Sequence, residues 1–168
     1  VSGCGGNIAW HTEKDTIEIA DYDVLKTDIE IYLLAVWRHA SAEILPTDWR
    51  ETLKEFAEVI NDYNAYSDFF DLSEAAVITK DLSLEMEKFY DAIRDGKILA
   101  SEANNVIIKI GRYLVPINFT KNLRFDQDPA YVCPELPLLS PPSKIRFLPK
   151  NQQGFAQTQL KRGQNRYV

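Results

Sequence analysis

Two cysteines, two histidines and one methionine are all this 168-residue chain has of soft or imidazole donors. Cys4 and Cys133 stand 129 positions apart with no Cys-x-x-Cys or Cys/His cluster around either, which excludes a cysteine-based metal knuckle. One disulfide between them is open, two reduced thiols are the simpler reading, and cysteine usage leaves the compartment undetermined. No apolar run approaches the ~18 residues of a membrane span. No basic-then-apolar signal opens the chain. Two histidines in unrelated settings cannot assemble a Ser-His-Asp arrangement. Gly3-x-Gly5-Gly6 lacks the strand, the lysine and the helix of a phosphate-binding loop.

The chain is instead 45% hydrophobic with 11% aromatic residues, which argues against disorder and for one domain with a sizeable core. Net charge is −6, unevenly spread. From Lys144 onward there are six basic residues (Lys144, Arg146, Lys150, Lys161, Arg162, Arg166) and no acidic ones. The remainder sets thirteen basic against twenty-five acidic residues, a net of −12. An acidic body speaks against a nucleic-acid footprint. The basic tail reads as a strap across that body.

Periodicity and caps place the helices. Asp21 or Asp23 caps a helix running to about Ala42, with Val24, Leu25, Ile29, Tyr32, Leu33, Val36 and Trp37 as one buried stripe. Pro46 breaks it, and Thr47 caps a second helix through Leu53, Phe56, Ile60 and Tyr63. A third spans about Leu72 or Ser73 to Arg94, closed by Gly96, with Ala76, Val77, Leu82, Met86, Phe89, Tyr90 and Ile93 on its apolar face. The fourth, about Ile98 to Leu114, is the most apolar and ends at Pro116. Six prolines between Asp128 and Lys150 exclude helix over most of that stretch. Its leucines, Ile145 and Phe147 are too apolar for a free linker, so it is expected to lie as an extended strap on the bundle. A short last helix follows from Gln152. The expected fold is all-α: an up-and-down bundle of about four long helices, a Pro-rich extended strap and a short C-terminal helix. The first and fourth helices are expected to form its core, and any interface to be drawn from the second and third helices and the strap.

One segment carries a chemical signature. His11-Thr12-x-x-Asp15-Thr16, then Ile19-x-Asp21, a helix through Ile31-Tyr32 and Trp37-Arg38, and Leu45-Pro46-x-Asp48 resembles the zinc-peptidase superfamily of aminopeptidases, glutamate carboxypeptidase and the transferrin receptor. The resemblance covers roughly residues 3 to 50 in order and spacing; the Arg162-Gly163-x-Asn165-Arg166 ending adds to it. It implies that His11 is the last metal ligand of a two-zinc site completed by residues of a longer parent. Asp15 and Thr16 would shape the turn that presents it. It further implies residues 1–20 as the end of the peptidase-like domain and 21–168 as a helical dimerisation domain. The implied partners are a second copy of the chain and the parent's peptidase domain. The Gly-rich opening likewise suggests a chain cut from something longer, whose signal or anchor would lie upstream.

A two-zinc peptidase needs several carboxylate and imidazole ligands and a general base. Only His11 of that set is present; His39 reads as a helix-terminal surface residue, and Glu13, Asp15, Glu18 and Asp21 as helix-capping acids. No catalytic residue is therefore assigned within the chain, and zinc belongs to the parent if its other ligands exist. In the glutamate carboxypeptidase branch an adjacent Lys-Tyr pair holds the substrate's terminal carboxylate. The region from Asn118 to Phe147 has no such pair, so a preference for acidic dipeptides does not carry over. Three Trp, eight Tyr and eight Phe exceed what a small core easily hides, which points to an interface independently of the resemblance. The alternatives are a segment that closes the site of an active zinc aminopeptidase or carboxypeptidase, and a monomeric helical scaffold binding an unrelated protein.

Overall fold

Asp21 accepts hydrogen bonds from the backbone N–H of Asp23 and Val24 at 2.9 and 3.0 Å, and this cap starts α1 (Tyr22–Ser41). The computed structural model describes residues 9, 11–122, 134–139 and 142–168, and the chain divides into two compact units, 1–46 and 47–168. All regular elements among the described residues are helical.

The second unit begins with α2 (Trp49–Asn64), capped by Asp48 rather than by the expected Thr47. Asp48 also pairs with Arg50, which reaches Glu87 at 3.1 Å on α3 (Ser73–Arg94). Arg50 holds the Asp48 carboxyl below the usual carboxylate range. Thr47 contributes its carbonyl instead: Tyr90 donates its hydroxyl to it at 2.8 Å and accepts from the Trp49 N–H at 3.1 Å. One side chain of α3 thereby fixes the start of α2. At the far end of α3, Gly96 takes φ +67°, a left-handed conformation that costs glycine little.

α4 (Ala100–Phe119) runs one turn beyond the expected stop, with Pro116 inside it. Proline removes one N–H and crowds the preceding turn, but close to a helix end few bonds remain to be lost. Ile117 packs on the core, and Thr120 donates both its N–H and its hydroxyl to the Pro116 carbonyl at 2.9 and 2.7 Å. The strap's described residues form two 3-10 turns, Pro137–Leu139 and Pro142–Phe147. Each opens on a proline, whose fixed φ suits such a turn and whose missing N–H has no partner there anyway. The expectation for residues 128–133 lies outside the described residues. α5 (Lys150–Tyr167) starts two residues earlier than expected and is 18 residues long.

The core of the second unit joins Leu53, Phe56, Val59 and Ile60 of α2 to Leu72, Ala75 and Met86 around α3, Leu114 of α4, and Leu136 and Leu139 of the strap. This corrects the expectation for the first helix: α1 contributes no buried residue. Periodicity shows that a face needs a partner but not which one, and this core closes with other helices. On α3, Met86 of the expected face is buried and Ala76, Phe89 and Tyr90 pack against the core, while Val77 and Leu82 are exposed and Ala75 and Thr79 are further buried positions. Buried Thr79 is satisfied by the Ala75 carbonyl and by the Tyr167 hydroxyl, both at 2.7 Å. Phe56 meets the Tyr167 ring at 6.1 Å, so the last turn of α5 is seated between α2 and α3. Leu136 is wholly buried at φ +44°, a strained geometry for a side chain with a Cβ, held by its burial and by the Tyr63 hydroxyl bonding the neighbouring Glu135 carbonyl at 2.7 Å.

Candidate functional site

His11 sits in a tight turn with φ +63°. Histidine tolerates the left-handed region better than most residues, but the conformation still requires local support. Thr12 supplies it: its N–H and hydroxyl both donate to the Ala9 carbonyl, at 3.0 and 2.6 Å, and its hydroxyl accepts from the Lys14 N–H at 3.2 Å. The Asp15 N–H then donates to the Thr12 carbonyl at 3.1 Å, and Thr16 precedes a 3-10 turn, Ile17–Ile19. The Thr16 side chain bonds the Glu18 carboxylate and lowers its pKa. Asp15 and Thr16 thus stand in the turns around His11, and Thr12, assigned no role from sequence, makes the bonds nearest to it. Its β-hydroxyl three residues after a carbonyl was the available signal.

The turn leaves His11, Asp15 and Thr16 exposed. Among the described residues no three His, Cys, Asp or Glu side chains gather in a metal-binding group. His11 offers one donor where a zinc site needs three or four. Cys4 and Cys133 lie outside the described residues. His39, in the last turn of α1, donates from Nδ1 to the Ala35 carbonyl at 2.8 Å, a local helix bond.

The larger chemical feature is α1 itself. Tyr22, Leu25, Ile29, Leu33, Val36 and Trp37 recur along one face at helical spacing. From Ile31 to Trp37 the sequence Ile-Tyr-Leu-Leu-Ala-Val-Trp is apolar at every position, so this half of the helix is apolar all round. Such helices are normally interior. Here Trp37 is 68% and Leu33 65% exposed. Contiguous exposed apolar surface of this kind is uncommon on monomeric proteins.

The basic tail divides its work. Lys161 pairs with Glu74 of α3 at 2.9 Å and Gln157 bonds the Phe69 carbonyl at 3.0 Å, which ties α5 to the acidic helices. Arg146 lies over the Tyr66 ring at 5.6 Å. Gly163 permits the closest approach: a Cβ there would run into the Leu138 carbonyl oxygen and lie 2.9 Å from its carbon. No helix among the described residues is long and apolar enough to cross a membrane. No protein family, curated protein or solved structure matches the chain.

Proposed function

We propose that the chain is the helical dimerisation module of a zinc metallopeptidase-like protein of glutamate carboxypeptidase or transferrin receptor type, and is not catalytic by itself. The observation that carries this reading is the exposed α1, whose residues Ile31 to Trp37 are apolar all round. At 1.5 Å per residue its twenty residues span about 30 Å, and a cylinder about 10 Å across then presents ~900 Å² of lateral surface. A stable interface takes about 800 Å² from each partner, and one side of α1 supplies roughly half of that, so α1 forms the centre of such an interface and not the whole of it. A second copy is the occupant: closed two-fold pairs are the commonest soluble assemblies, and in such a pair the same face meets itself. The His-Thr-x-x-Asp-Thr segment preceding α1 links this module to a peptidase-like parent.

Sedimentation equilibrium of the chain at micromolar concentration tests the reading. A dimer that Leu33→Glu together with Trp37→Glu converts to monomer, with helix content retained, is the expected result. A monomer of 19.2 kDa in the unsubstituted chain refutes autonomous dimerisation. The second reading, in which the parent is an active two-zinc peptidase, draws on the exposed His11 held in its left-handed turn by Thr12. Zinc would bind through the His11 imidazole and the parent's own donors, which would supply a metal-activated water.

A further inference from the structure

Between α5, the turn Pro142–Phe147 and the residues just after α4 lies a pocket of about 410 Å³, within the range of small-molecule sites. Its floor is apolar: Pro137, Ile145 and Leu160 are buried there, with Leu138, Leu148 and Ala156 beside them. Among the described residues that line it are four cations, Lys121, Lys144, Arg162 and Arg166, and no carboxylate. The α5 contributions at 155, 156, 159, 160, 162, 163 and 166 share one helix face. Gly163 lets that face close on the strap, because the Leu138 carbonyl occupies the space of a side chain.

Four like charges around one cavity repel one another, and the surrounding body is strongly acidic. If the basic tail served only to strap α5 to acidic helices, Lys144 and Arg162 would sit against carboxylates, as Lys161 does against Glu74. Instead, Arg166 donates to the backbone carbonyls of Lys121 and Asn122 at 3.3 and 3.4 Å, joining the end of α4 to α5 and holding the pocket's shape. Lys144 and Arg162 are exposed at the mouth, with Phe155 alongside. We propose that this pocket binds an amphiphilic anion, a carboxylate or phosphomonoester head on a short aliphatic body. The head lies between Lys144 and Arg162, and the chain lies on the Pro137, Ile145 and Leu160 floor. Guanidinium and ammonium groups at a partly apolar mouth favour an anion more than they would in open water. Each methylene placed on the floor tightens binding by up to about fourfold. The proposal is independent of the dimerisation reading.

Calorimetric titration of the full chain with hexanoate, hexyl phosphate, hexanamide and inorganic phosphate tests it. At least one of the two amphiphilic anions should bind about tenfold or more tighter than both hexanamide and inorganic phosphate, with Kd at or below the order of millimolar. Lys144→Glu and Arg162→Glu should each weaken that binding about tenfold or more, with far-UV dichroism unchanged because both side chains are exposed. Ala156→Trp, which fills the pocket without altering charge, should also abolish it. Equal binding of hexanamide would overturn the anion requirement, and equal binding of inorganic phosphate would reduce the site to a diffuse cationic patch. No binding by either amphiphile, or binding unaffected by both charge reversals, would overturn the proposal outright.

Discussion

Two glycines nine positions apart in α5 should respond to alanine with opposite signs. Gly154 has nothing within 4 Å of where a Cβ would stand. Alanine there only restricts the unfolded chain and improves helix propensity, a gain of roughly 0.5–1 kcal/mol. At Gly163 the same methyl meets the Leu138 carbonyl, a backbone group in the turn Pro137–Leu139 that cannot rotate aside as a side chain would. Overpacking of this kind costs about 3 kcal/mol at its upper end. Set against the propensity gain, Gly163→Ala should destabilise the chain by about 2 kcal/mol. For a chain of this size 1 kcal/mol moves the melting temperature by about 2–4 °C, so the two variants should differ by roughly 6–12 °C. Urea unfolding and thermal melts followed by far-UV dichroism measure this directly. An unchanged urea m-value would show that the loss is one of stability and not of cooperativity. Gly163→Ala as stable as the unsubstituted chain, or both variants shifting in the same direction, would refute the close approach of α5 to the strap.

Tyr63 is half-buried and its phenol is pushed up to about 12 by burial, with the nearby Glu135 carboxylate adding to the shift. Because the folded state raises the pKa of an acid, stability from the neutral phenol is complete below about 10 and declines as pH rises from about 10 toward 12. Urea unfolding at pH 9 and 11 should show the decline, Tyr63→Phe should lessen it, and a variant with the same pH profile as the unsubstituted chain would contradict the assignment. At neutral pH the same substitution removes the bond to the Glu135 carbonyl and should cost about 1 kcal/mol. His11→Asn, which tolerates the left-handed φ of +63° better than alanine does, should leave the chain's melting temperature within about 1 °C, since the imidazole is exposed, and should abolish zinc-dependent hydrolysis in a peptidase parent. A drop of several degrees would make His11 a packing residue and remove the main support for its role as a ligand. The chain alone should retain no stoichiometric zinc after dialysis against a weak chelator; retention would reveal donors that His11 alone does not provide.

Local chemistry made much of this molecule legible before its coordinates. Asp21 ahead of an apolar run, Gly96 after a polar helix end and prolines 137 and 142 act within one or two turns of themselves, so their effect on the backbone depends little on distant residues. The helices accordingly fall within about a turn of where caps and periodicity place them. The left-handed turn at His11 depends on Thr12, a neighbour in sequence, and the His-Thr pairing was visible there too. What sequence did not decide is which faces meet. α1 has the stronger apolar run, yet the core of residues 47–168 closes with α2, α3, α4 and the strap, because burial depends on three-dimensional complementarity and not on hydrophobicity alone. Gly163 and Gly111 look like helix-weakening residues in sequence. Only the fold shows that one admits the Leu138 carbonyl and that a Cβ on the other would stand 2.6 Å from the Trp49 ring, whose Nε1–H bonds the Ile107 carbonyl at 2.9 Å. The basic tail was likewise visible as composition. Its separation into Lys161, paired with Glu74, and the cations that ring a pocket is tertiary, because α5 turns successive residues toward different neighbours and the strap supplies the opposite wall.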